Sequence, residues 1–102
     1  MTPTESNPLT RARLHAFVEG RVQGVGFRAF VIDNAVRLQL TGWVRNTWNG
    51  EVEVLAEGLQ QNLQTFHNLL REGPPAAMVT LVRQEWQTYT GEFGQFQVRF
   101  SV

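Results

Sequence analysis

The chain has 102 residues, enough for one domain and too few for two, and its hydrophobic fraction of 42% can supply a single packed core, which excludes an intrinsically disordered chain. Nine basic and nine acidic residues cancel, which argues against a nucleic-acid partner, because such proteins usually carry a basic patch or stripe. The absence of cysteine excludes disulfides, thiolate nucleophiles and cysteine-based metal sites.

The N-terminal residues have the character of a tail. Residues 1–10 lack the basic start and apolar stretch of a signal peptide, and no apolar run approaches the roughly 20 residues of a membrane span. We therefore expect a flexible tail over 1–10 and one domain over 11–102. A cytoplasmic monomer without a membrane partner is the accompanying prediction.

The first strand, loop and helix follow in order. Apolar residues alternate with other residues from Ala12 to Val18, which predicts a strand with one buried face. The segment GRVQGVGFR at 20–28 contains three glycines and predicts a shaped loop with uncovered backbone amides. Apolar side chains then recur at helical spacing, which predicts a helix from about Phe27 to Gln39.

A hairpin is predicted next. Thr41 to Arg45 and Val52 to Ala56 are rich in β-forming residues, and Asn49-Gly50 between them favours a type I′ turn. On this hairpin the simplest expectation for three acidic residues is a solvated strand face: Glu51, Glu53 and Glu57.

The remaining elements complete a known pattern. An apolar stripe from Leu59 to Leu70 predicts a second helix ending near Arg71, before Gly73-Pro74-Pro75. Two β-prone runs follow, at about 78–89 and 95–100. The order β, α, β, β, α, β with a closing strand predicts an α+β, ferredoxin-like (split βαβ) sandwich. Its sheet should be mainly antiparallel, with both helices on one face and water on the other.

Arg28 is the main candidate for chemistry. It lies in the first turn of the predicted helix, where the dipole disfavours a cation, and a solvated arginine is the usual reading of such a residue. Here the glycine loop precedes it, and an anion held jointly by loop amides and the guanidinium would compensate. The loop therefore favours an anion site at this helix end.

Other signatures fit less well. Gly24 to Ala29 matches the spacing G-x-G-x-x-A of dinucleotide-binding folds, but no acidic residue follows the second strand and a hairpin replaces the second crossover. The P-loop motif is absent from the sequence. His15 and His67 lie on different elements without a third ligand nearby in sequence, which favours surface or half-buried histidines over a metal site.

Two segments carry a specific resemblance. GRVQGVGFR at 20–28 and GWVRN at 42–46 resemble the two signature segments of the acylphosphatase family, GPP at 73–75 is similar as well, and the likeness runs from about Arg11 to Val102. The resemblance implies hydrolysis of the carboxyl–phosphate anhydride of a small-molecule acyl phosphate. It implies no metal and no cofactor.

The resemblance also implies residue roles. The catalytic residues would be Arg28, which holds the phosphoryl group, and Asn46, which positions the attacking water. The backbone amides of the loop would bind the phosphoryl group with Arg28, and they belong to Val22, Gln23, Gly24, Val25, Gly26 and Phe27. For Asn46 alone, the start of the turn toward Asn49-Gly50 would be the commoner role. Whether Trp48 shields the pocket mouth stays open.

The sequence departs from the pattern of the acylphosphatase family at two points. Leu38-Gln39-Leu40 stands where the family often has Leu-Gly-Leu, so the first helix must end with a different cap. Asn49-Gly50 stands where the family commonly has Asp-Gly.

Two alternative functions stay open. One is an RNA-binding ferredoxin-like module, suggested by the element order and by VGFRAF at 25–30, and the other is a non-catalytic anion-sensing module.

Overall fold

The computed structural model describes residues 9–102, so most of the predicted tail lies outside the described residues. Two helices and five strands make up the described chain. In chain order they are β1 (Arg11–Arg21), α1 (Phe27–Arg37), β2 (Thr41–Asn46), β3 (Val52–Leu59), α2 (Gln60–Glu72), β4 (Met78–Gln87) and β5 (Phe96–Val98).

The strands form one sheet in the order β4-β1-β3-β2-β5. Neighbouring strands are antiparallel except β2 and β5, which run parallel. Inward residues of β1 and β3 lie opposite each other, with Leu14 paired to Ala56 and Val18 to Val52. The buried stripes of α1 and α2 pack on this same sheet face, so one core lies between the sheet and both helices. The ferredoxin-like prediction is confirmed.

The opposite sheet face differs from the prediction, because the three hairpin glutamates are buried there. Glu57 is fully buried and accepts hydrogen bonds from Arg13 Nε at 2.8 Å and from the backbone N–H groups of Thr90 at 2.9 Å and Gly91 at 3.0 Å. The expectation of a solvated face was wrong. The segment between β4 and β5 joins the two edges of the sheet and brings these donors over β3.

Two local details also differ from the prediction. Asn49 is not among the residues with positive φ, which a type I′ turn requires, whereas Gly50 has φ 89° and its N–H donates to Thr47 O. Helix α1 ends two residues earlier than predicted, and Gln39 after it has φ 58°. The N–H groups of Gln39 and Leu40 donate to Val36 O and Ala35 O, the two bonds of a Schellman cap with glutamine in the left-handed position.

Candidate functional site

The loop between β1 and α1 presents free backbone amides. Gly24 has φ 73° and Gly26 has φ 80°, a conformation that favours glycine, and a side chain added at either position would meet open space. Gly26 is the N-cap of α1 and supplies no side-chain hydrogen bond. The first backbone bond of the helix joins Phe30 N–H to Gly26 O at 3.1 Å. The amides before Phe30 therefore face outward without an intrahelical acceptor.

Arg28 is the second residue of this helix. No acidic residue lies in the first turn, so nothing there offsets the positive end of the helix dipole, and Arg28 adds a further positive charge to this turn. Among residues 9–102, no carboxylate lies within ion-pair distance of Arg28. This end of α1 therefore combines uncompensated positive potential with outward-facing N–H donors.

Gln23 connects the loop to the neighbouring hairpin. Its Nε2 donates to Thr47 O and to Glu51 O, both at 2.8 Å. Thr47 follows the last residue of β2, so this side chain fixes the glycine loop beside the end of that strand. The loop is thus held at two carbonyls of the hairpin, and its amides are preorganised.

Asn46 ends β2 next to this contact. Its Oδ1 is buried and has no hydrogen-bond partner within the described residues. Its backbone oxygen accepts from the N–H of Val102 at 3.1 Å. A buried carbonyl oxygen that lacks a donor costs free energy. The Oδ1 of Asn46 can therefore accept a hydrogen bond from a donor such as water.

The sequence-predicted residues have different surroundings in the structure. Val22 and Phe27 turn their side chains into the core, so only their backbones can meet a ligand. Gly24, Val25 and Gly26 form the tip of the loop, with both glycines exposed. Through the Gln23 bridge, the loop that leads to Arg28 and the strand end that carries Asn46 lie on the same side of the molecule.

A pocket of about 550 Å³ opens beside Arg28. Arg45 and the C-terminal residues 98–102 complete its lining. Arg45 Nε lies 2.8 Å from Glu53 Oε1, and its guanidinium lies over the Trp43 ring at 4.6 Å from the centroid. Burial alone would raise the pKa of Glu53, but hydrogen bonds from His15 and Arg45 hold that pKa below its ordinary value. The positive charge of Arg45 is thus already paired with the carboxylate of Glu53.

The C-terminal wall of this pocket was missed by the sequence reasoning. Alternation of Phe96, Val98 and Phe100 indicated a strand, but only Phe96 is buried. Beyond β5 the backbone continues along β2, with Arg99 N–H donating to Val44 O at 2.9 Å. Alternation of apolar residues predicts a strand but does not predict that the strand lies at an edge of the sheet. The edge position leaves Val98 and Phe100 exposed beside the site.

Residues away from the loop have other surroundings. His15 Nε2 lies 2.7 Å from Glu53 Oε2, whereas His67 is buried, and burial and then Arg71 lower its pKa. Within residues 9–102, no three His, Asp or Glu side chains are grouped so that they could bind a metal. Trp48 is 90% exposed, and it is not among the residues that line the pocket beside Arg28. Neither helix of the described chain is long and apolar enough to cross a membrane.

Comparison with known proteins gives one family. The model of the acylphosphatase family matches residues 14–98. A protein named acylphosphatase from Pelotomaculum thermopropionicum is 46% identical over 92 residues, which is 90% of this chain and 100% of that protein. The match therefore includes both the glycine loop and the end of β2.

Solved structures give the same result. The crystal structure of acylphosphatase from Bacillus subtilis has a TM-score of 0.84 and 38% identity, over 86% of this chain and 98% of that one. The structure of an acylphosphatase from Coxiella burnetii has a TM-score of 0.82 and 40% identity, over 87% and 93% of the two chains. The similarity in sequence and in the arrangement of elements therefore extends over most of this chain.

Proposed function

The chain belongs to the acylphosphatase family, enzymes that hydrolyse the carboxyl–phosphate anhydride of acyl phosphates, and from that premise we propose how its own residues perform the reaction. Arg28 and the backbone amides of residues 22–27 bind the phosphoryl group. Asn46 positions the water that attacks phosphorus. The products are a carboxylate and inorganic phosphate.

The phosphoryl group is bound by charge and by directed donors. Three equatorial oxygens share the negative charge of the transition state, and each needs a donor. The loop amides and the α1 N-terminus point outward, and the Arg28 fork adds two more N–H groups at the same helix end. An arginine in a first helical turn costs about 0.3 to 1 kcal/mol, which a bound dianion would offset.

The single observation that carries the role of Asn46 is its buried Oδ1 without a partner. A water molecule at this oxygen would donate one hydrogen bond to it, and its lone pair would then be free to attack. Because Gln23 ties the loop to the residue after Asn46, water and phosphoryl group would be held at fixed distance. Orientation of this kind is the main contribution a protein makes to phosphoryl transfer.

The leaving group needs little help. A carboxylate, whose conjugate acid has a pKa of about 4, departs without a proton, so no general acid is required. We propose that the water's proton passes to an oxygen of the substrate, and that activity is independent of metal ions. The cytoplasmic location and the monomeric state stay predictions from the sequence.

The test is steady-state hydrolysis of benzoyl phosphate, with and without EDTA. Arg28→Gln should fold normally and lose about 100- to 1000-fold in kcat, because one preorganised donor is removed. Asn46→Ala should lose rate while keeping phosphate as a competitive inhibitor. Arg37→Gln, at the other end of α1, is the matched control and should stay fully active.

Several outcomes would contradict the proposal. Loss of turnover in EDTA would disprove the metal-free mechanism. An Arg28→Gln variant with near-normal kcat would remove the guanidinium from the site. Tight phosphate binding without hydrolysis would favour an anion sensor, and a salt-sensitive shift with single-stranded RNA would favour the RNA-binding alternative.

A further inference from the structure

The pocket beside Arg28 has a wall made by one short segment. Residues 98–102 line it from β5 to the C-terminal side. Two backbone hydrogen bonds hold this segment against β2, from Arg99 N–H to Val44 O at 2.9 Å and from Val102 N–H to Asn46 O at 3.1 Å. The wall is therefore fixed relative to the end of the strand that carries Asn46.

The side chains of this wall are apolar and exposed. Val98 is 47% exposed, Phe100 is 95% exposed and Val102 is 47% exposed. Single exposed apolar residues need no explanation, but these three occur at alternate positions of one segment and line one pocket. Their apolar surface is available to a ligand whose other end reaches Arg28.

The cations of the pocket are directed elsewhere. Arg45 is paired with Glu53, and both Arg45 and Arg99 place their guanidinium groups over the ring of Trp43, at 4.6 and 5.0 Å from its centroid. Cation–π contact occupies these groups on the sheet face that the helices do not cover. Arg28, which also lines the pocket, has neither an ion pair nor a cation–π contact among residues 9–102, so we assign the phosphoryl end of the substrate to it.

We propose that this pocket, lined by Val98, Phe100 and Val102, binds the acyl group of the substrate and selects bulky apolar, especially aromatic, acyl phosphates. The inference rests on the proposed function, since Arg28 must hold the phosphoryl end for the acyl group to reach the wall. Phe100 would stack against an aromatic acyl group, an arrangement that offset aromatic rings prefer. A two-carbon acyl group would be too short to bury the same surface.

The experiment compares kcat/KM for benzoyl phosphate and acetyl phosphate. In the unaltered enzyme the ratio of kcat/KM for benzoyl phosphate to kcat/KM for acetyl phosphate should exceed one. Phe100→Ala should lower this ratio about five- to tenfold, mainly by raising KM for benzoyl phosphate, because the acyl group loses contact with about half of a ring face. Because Phe100 is almost fully exposed, the variant should unfold at an unchanged temperature. Leu81→Ala, another exposed apolar residue but on β4, is the control and should leave the ratio unchanged.

The outcomes separate this inference from the proposed function. If the unaltered enzyme hydrolyses neither compound, the proposed function fails and the inference fails with it. If both are hydrolysed and neither Phe100→Ala nor Val98→Ser changes the ratio, the acyl pocket alone is refuted. A preference for succinyl phosphate over benzoyl phosphate that Arg99→Gln abolishes would also overturn it, because the pocket would then select anionic acyl groups.

Discussion

Replacing Glu57 by glutamine removes a charge from the centre of the helix-free sheet face. Its Oε2 accepts from Arg13 Nε at 2.8 Å and from Thr90 N–H at 2.9 Å, and its Oε1 accepts from Gly91 N–H at 3.0 Å. Glu57→Gln keeps the shape of the side chain but replaces one carboxylate oxygen by an NH2 group, so a hydrogen-bond donor then faces another donor. Breaking one side of a buried ion pair costs about 3 to 5 kcal/mol, and we expect about 3 kcal/mol because one oxygen still accepts.

The pH dependence gives the sign of the effect. Burial would raise the pKa of Glu57, but hydrogen bonds from Thr90, Arg13 and Gly91 lower it below the ordinary 4.5. A depressed folded-state pKa stabilises the fold above the unfolded pKa, and this stability is lost as pH falls through the folded pKa. The deficit of Glu57→Gln should therefore be largest near neutral pH and should shrink below about pH 4.5.

Urea unfolding followed by tryptophan fluorescence at several pH values measures this. Glu85→Gln is the control, because Glu85 is exposed and its carboxylate accepts, within the described part of the chain, only from Gln87 Nε2; the free energy of unfolding of this variant should differ by less than about 0.5 kcal/mol. A loss below about 1 kcal/mol for Glu57→Gln at pH 7, where the full ion-pair penalty applies, would refute the reasoning. A deficit that grew on acidification would refute it as well.

Three further changes test the loop, the cap and the strand. Gln39→Gly should stabilise the protein by about 1 kcal/mol in the urea assay, because a non-glycine residue is strained in the left-handed region. The control, Gln64→Gly at an exposed position of α2, should destabilise the protein by about 1 kcal/mol in the same assay. Gln23→Met should cost about 1 to 2 kcal/mol and raise KM for benzoyl phosphate severalfold, because the carbonyls of Thr47 and Glu51 each lose one donor and the loop loses its side-chain link to the hairpin; an unchanged KM would show that the bridge is not needed. Gly42→Ala should cost on the order of 3 kcal/mol, because at φ 138° its Cβ would collide with Leu55 O, and a normal thermal unfolding temperature would contradict this.

The sequence was sufficient for features with local causes. The alternation of Leu14, Ala16 and Val18 predicted a strand, and the glycines before Arg28 predicted the outward-facing amides. The position of the glycine loop, the element order and the family could therefore be predicted from residues that lie near one another in the chain, whereas the role of the loop as a binding site stays a prediction.

Features with distant causes could not be read in this way. Glu57 looks like part of a solvated face because its partners, Arg13 and the segment around Thr90, are more than 30 residues away in sequence. The pocket beside Arg28 depends on β5 pairing with β2 at an edge of the sheet, which alternation alone does not specify. The end of α1 was misjudged because glutamine takes a conformation normally left to glycine.

The opposite edge of the sheet bears on how the protein behaves at high concentration. β4 has ten residues and, among residues 9–102, only one neighbouring strand, so one row of its backbone groups could recruit a strand from another molecule. Arg83 and Glu85 lie in its middle, and the pairing with β1 is irregular at Glu19–Gly20, both of which discourage such recruitment. Neutralising these two charges should therefore favour intermolecular sheet growth and precipitation.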